Sequence, residues 1–137
     1  MKRVFDPAPK LEALNGLSLG LRLGVGSFML THGWPKFENL LNGHIEFADP
    51  FGLGNPATLL LTVVAEVLCS ILIILGLGTR VAVIPLMFTM VTAAFIMHAD
   101  DPFGRKELAL VYLLLYGAVF ILGIQRPTLS IALARHR

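Results

Sequence analysis

Arg22, His32, Lys36, Glu66, His98 and Tyr112 are the side chains of this sequence best suited to do chemistry. Arg22 and Glu66 lie inside long apolar runs. A charge at the centre of a bilayer costs about 2.5–3.5 kcal/mol on insertion scales, so two of opposite sign are expected to pair. At ~1.5 Å per residue, each falls roughly 15 Å into its run, and the runs cross in opposite directions. Such an Arg22–Glu66 pair either fixes helix register or lines a ligand or proton site. His32, Lys36 and His98 stand at run ends predicted on one side, and Asp100 and Asp101 follow His98. In a compact bundle they would converge at an outer mouth. A histidine there can move protons or donate to a carbonyl, because it titrates near neutral pH. The alternative reading is interfacial, since His32, Trp34 and Lys36 also suit a headgroup boundary. Tyr112 and Tyr116 are four apart and share a helix face. Their hydroxyls reach the polar interior, or their rings serve as ordinary packing. His32, His98 and a carboxylate match no metal-ligand spacing, so no metal is predicted.

Four apolar runs must position these groups: 11–33, 57–76, 79–99 and 107–123. Each is near the ~20 residues that cross a bilayer as a helix. No period-2 alternation appears, and backbone groups in lipid must pair within the segment. The first run lacks a small-x-small cleavage site and contains Arg22, so it reads as a retained span. "LGLGTR" makes a tight hairpin between the second and third runs. In "DDPFGRK", Asp100 or Asp101 is expected to cap the last helix, with Pro102 in its first turn. Residues 34–56 are long for a connection and carry apolar side chains. Pro35 is expected to open a short helix there that Gly43 closes. Part of this loop should lie in the interface or fold back over the helices. Gly16, Gly20 and Gly24 recur at every fourth position, a spacing that admits a close neighbouring helix. Ser18, Arg22, Gly26 and Met29 form a second stripe. Thr62, Glu66, Cys69 and Ser70 form another.

Composition names the solvent. Hydrophobic residues make up 55% of the chain and charged residues 15%, against roughly 25% charged in a soluble domain. A globule this small cannot hide so much apolar surface from water. The predicted class is therefore an all-α membrane protein. One domain spanning 1–137 is expected, a four-transmembrane-helix antiparallel bundle with a long outer loop between helices 1 and 2. The net charge is +2, but the basic residues form no stripe, which argues against nucleic acid. Lys2, Arg3, Lys10, Arg80, Arg126, Arg135 and Arg137 fall on one side. Lys36, Arg105 and Lys106 fall on the other. Positive charge stays in the cytoplasm, so both termini are predicted cytoplasmic. The single cysteine, Cys69, excludes an internal disulfide and a two-cysteine redox motif.

Taken in order, "HGWPKF" after the in-span arginine, "AEVLCSILIILGLGTRVAVIPL" and "FIMHADDPFGRKELALVYL" resemble the DoxX family of small bacterial membrane proteins. The resemblance implies a four-helix bundle in the bacterial inner membrane and an association with membrane redox chemistry. It also brings a shared polar set of Arg22, His32, Lys36, Glu66, Arg80 and His98. The leading functional expectation is a quinone-associated subunit, and its oxidoreductase character rests on this resemblance alone. Glu66, His98 and His32 would then move protons. Arg22, Lys36, Glu66, His98 and Tyr112 would hold the quinone. Expected partners are the lipid bilayer, a redox-enzyme subunit and a second copy of the chain. The competing expectation is a non-catalytic scaffold that docks partners, with Arg22–Glu66 as a structural pair.

Overall fold

A computed structural model describes residues 11–123. Lys2, Arg3, Lys10, Arg126, Arg135 and Arg137, on which the expected orientation partly rests, lie outside them. The described residues are helical, with no strand among them. Helix α1 is Leu11–Leu41, α2 is Asn55–Leu75 and α3 is Thr79–Met97. Helix α4 is Phe103–Leu122. The first three are long and apolar enough to cross a membrane. Helix α4 is of similar length but begins with Arg105, Lys106 and Glu107.

Helix α1 runs eight residues past its expected end at Gly33. Pro35 sits inside it rather than opening a new helix. Proline removes one ladder donor and normally breaks a helix, but lipid penalises any exposed break and favours a continued helix. The helix ends at Leu41, and Gly43 turns the chain with φ +73°. Between α2 and α3, Gly76 takes φ +73° and Gly78 φ +55°. The Gly76 N–H bonds the Ile73 carbonyl and the Leu77 N–H bonds the Leu72 carbonyl. This paired closure is the reason for glycine at 76.

Two helices contain a wider turn. Val64–Cys69 in α2 and Ala93–Met97 at the end of α3 are π-helical. Such turns insert an extra residue and often mark functional positions. The first contains Glu66, and the second delivers His98.

The core holds Val25 and Met29 of α1, Cys69 and Ile73 of α2, Val83, Leu86 and Met90 of α3, and Tyr112, Tyr116 and Val119 of α4. The Ser18–Arg22–Gly26–Met29 stripe faces inward as expected. Outward stand Leu17, Phe28, Leu60, Val81, Ile84, Leu114 and Ile121. An apolar exterior of this extent suits lipid and not water.

The expected glycine contact is different. A Cβ built on Gly16, Gly20 or Gly24 meets nothing within 4 Å, so this face packs against no part of the described chain. The close approaches fall at Gly26 and Gly33. A Cβ on Gly26 would lie 2.6 Å from Cγ1 of Ile74, and one on Gly33 would lie 2.9 Å from Cβ of Glu66. With Arg22 against Gly76, these contacts set the register of α1 on α2. The contacts move down α1 as they move up α2, so the two helices run in opposite directions.

Candidate functional site

Spacings of three and four put Met29, His32 and Lys36 on one face of α1. All three line a cavity of about 690 Å³. Helix α2 adds Thr58, Thr62, Ala65 and Glu66; α3 adds Phe88 and Met97, with His98 just beyond its end; α4 adds Arg105, Leu108 and Tyr112. The long loop closes one wall with Phe47, Pro50, Phe51 and Leu53. It folds back over the helices as expected, and Phe51 stacks on Phe88 with ring centroids 5.7 Å apart.

One carboxylate pins that loop. Asp49 accepts hydrogen bonds from the Leu53 N–H at 2.9 Å, the Gly54 N–H at 2.7 Å and the Thr58 hydroxyl at 2.8 Å. The Gly54 N–H is the main reason its carboxyl sits below the usual carboxylate range, with Thr58 and Leu53 assisting. The same bonds tether the start of α2, where Pro56 occupies the first turn.

The centre of the site is an ion pair. Nζ of Lys36 lies 2.6 Å from both carboxylate oxygens of Glu66. The Glu66 side chain is only 3% exposed and that of Lys36 is 29% exposed. Gly33, one turn earlier on α1, has no side chain to keep the backbones apart. The expected Arg22–Glu66 pair is therefore replaced by Lys36–Glu66. The physical reason is register. Helix α1 continues to Leu41, so the residue opposite Glu66 lies further along it than a helix ending at Gly33 would place it. Arg22 is 14 residues before Lys36, about 21 Å down the axis at ~1.5 Å per residue, and it borders Gly76, Gly78 and Thr79 instead.

His32 and His98 both line the cavity. The His32 ring meets Tyr112 edge to face at 5.8 Å, and Tyr112 stacks on Tyr116 at 5.9 Å. Nδ1 of His98 lies 2.7 Å from Oδ2 of Asp101. With that nitrogen engaged, Nε2 is the ring atom available to a ligand. The hydrogen bond from His98 holds the Asp101 carboxyl below its usual range, and Arg105 adds to the effect. Asp101 is thus drawn to His98 and does not cap α4, whose start at Pro102 has no side-chain cap. Trp34 faces outward, and its Nε1–H donates to Glu38 at 2.9 Å.

Of the sequence-predicted residues, His32, Lys36, Glu66, His98 and Tyr112 share the cavity, and Arg22 does not. Sequence reasoning missed Asp49, Thr58 and the loop aromatics as parts of this site, and placed Asp101 beside His98 at the mouth without its bond to the ring. The signal for Asp49 was its place five residues before Gly54 and a proline-led helix, a position from which a carboxylate can gather free N–H groups. Among the described residues, no cluster of three or more His, Cys, Asp or Glu side chains could hold a metal ion.

The DoxX family model matches residues 17–99. The chain belongs to the DoxX family. The match covers α1 from residue 17, the loop, α2 and α3, and with them Arg22, His32, Lys36, Glu66 and His98. It stops short of α4 and Tyr112. No curated protein and no solved structure matches the chain. The DoxX domain and the apolar helices make this a small integral membrane protein.

Proposed function

We propose that the chain is a quinone-associated subunit of the bacterial inner membrane, with α4 as its fourth span and both termini in the cytoplasm. The observation that carries the reading is the composition of the cavity wall. Aromatic and aliphatic side chains surround a small set of donors and acceptors: Lys36, Glu66, His32, His98 and Tyr112. An isoprenoid quinone has the matching character, two carbonyl oxygens on a ring with an apolar tail. The cavity, at about 690 Å³, also falls within the ~300–1,000 Å³ of ordinary ligand sites. When bound, a quinone supplies two-electron, two-proton redox chemistry. The electrons would come from a partner subunit or a diffusible carrier.

The chain's own part is to bind and to handle protons. Lys36, His98 and Tyr112 are donors for carbonyl oxygens. Glu66 balances the Lys36 charge in apolar surroundings and can accept a proton when that charge is drawn to a ligand. Asp101 orients His98. The loop pinned by Asp49 excludes water from the same side.

The test is equilibrium binding of a short-tailed ubiquinone or menaquinone to the purified protein in detergent. Saturable binding is expected, weakened about tenfold or more by Lys36→Met and by His98→Ala, and unchanged by Trp34→Ala. No saturable binding, or equal effects at all three sites, would sink the reading. A second reading, a scaffold that docks a membrane partner or a second copy, is favoured by the unpacked Gly16–Gly20–Gly24 face. Under that reading Gly20→Leu lowers the mass of the purified assembly and leaves quinone binding intact.

A further inference from the structure

Arg22 is nine-tenths buried, with 8% of its surface exposed. Its Nε is enclosed and has no hydrogen-bond partner among the described residues. Among the described residues no acidic side chain forms an ion pair with it. Outside them, residues 1–10 carry one acid, Asp6, and residues 124–137 carry none. A guanidinium does not shed its proton in a protein, and a buried charge needs a counter-charge.

The surroundings of Arg22 favour an anion. It borders a cavity of about 280 Å³ with Gly76, Gly78, Thr79, Arg80 and Gly123. Among the described residues no carboxylate lines it. Arg80 brings a second cation, with its guanidinium held 5.5 Å over the Phe120 ring. Helix α3 starts there at Thr79 with no side chain capping its free N–H groups. A helix start carries partial positive charge and donors aimed outward. Glycine at 76 keeps the Arg22 head in place, because a Cβ there would run into Nη1. The end of α2 also favours a cation through its dipole. Even so, Nε finds no acceptor at that end among the described residues.

We propose that Arg22, Arg80 and the start of α3 form a binding site for a phosphate group, at the far end of the helices from the Lys36–Glu66 cavity. The phosphate is either the diester of an anionic membrane lipid or the free ion. Two arginines and backbone donors suit phosphate oxygens in both cases. This site does not depend on the quinone reading.

The experiment uses the full chain and has two arms. In the first, the protein is placed in nanodiscs of phosphatidylcholine with or without phosphatidylglycerol, and native mass spectrometry counts retained lipid. In the second, inorganic phosphate is titrated in detergent at constant ionic strength, and the thermal midpoint is followed. A retained phosphatidylglycerol identifies a lipid site, and a phosphate-dependent rise in midpoint identifies a free-ion site. In either arm Arg80→Gln should weaken the effect about tenfold or more, as loss of one charged contact does. Arg22→Met should abolish it, and Arg22→Lys should retain part of it. If Arg22→Met does not fold, Arg80→Gln and Arg22→Lys still decide. No response in either arm, or an undiminished response in Arg80→Gln and Arg22→Lys, overturns the proposal. A response that appears only in Asp6→Asn also overturns it, because Asp6 would then be the natural partner of Arg22.

Discussion

Removing either charge of the Lys36–Glu66 pair should destabilise the protein, and by unequal amounts. At 2.6 Å and an effective dielectric of about 20, two unit charges attract by about 6 kcal/mol. Most of that is offset by taking Glu66 out of water. The net value shows when one partner is deleted. Lys36→Met keeps the apolar stem but strands a carboxylate that is 3% exposed, which costs about 3–5 kcal/mol. Glu66→Gln strands an ammonium that is already 29% exposed and sits on a four-carbon stem able to reach water. That loss should be about 1–3 kcal/mol. The double variant should resemble Glu66→Gln alone, so the coupling should equal the whole Lys36→Met cost, about 3–5 kcal/mol. The assay is reversible unfolding in mixed micelles by rising SDS, followed by circular dichroism, for all four members of the cycle. A coupling below about 0.5 kcal/mol would refute the pairing, since that is the scatter between independent sites. So would a larger cost for Glu66→Gln than for Lys36→Met. The parallel cycle of Arg22→Met with Glu66→Gln should be additive, because Gly76 beside Arg22 is ten residues, ~15 Å, along α2 from Glu66.

The glycines should divide by place. Gly33→Ala should cost about 1–3 kcal/mol through overpacking against Glu66 and Val67. Gly24→Ala should be neutral or up to about 1 kcal/mol stabilising, and the same SDS titration reads both. Asp101 has a depressed folded-state pKa, so its contribution to stability is present above its ordinary value of about 3.9 and is lost as pH falls below it. The unfolding midpoint should therefore drop as the pH is lowered below about 4, and Asp101→Asn should flatten that drop. Asp49→Ala should speed hydrogen exchange at the Leu53 and Gly54 amides, whose acceptor it removes. Unchanged exchange there would mean that the loop is held by Phe51 and its neighbours instead.

The lipid solvent, the helical class and the inward faces were legible in the chain. Composition decided the first. Spacing decided the last, and Ser18, Arg22 and Met29 on α1, like Tyr112 and Tyr116 on α4, all turned inward where the pattern put them. The partner of Glu66 was not legible. It depends on where α1 ends, and Pro35 reads as a helix boundary until the cost of breaking a helix in lipid is set against it. A continuation of eight residues slid the polar end of α1 past α2, and the cation reaching Glu66 became Lys36. The role of the repeated glycines was also undetermined, because spacing gives a face but not what lies against it. Asp49 and Asp101 look alike in sequence, as acids near helix starts. Only the fold showed that Asp49 gathers backbone N–H groups and that Asp101 turns to His98. The sequence by itself determined the solvent and which residues share a face. The tertiary structure decided which charges meet, because pairing depends on axial register, and register is set by contacts between distant segments such as Gly33 on Glu66.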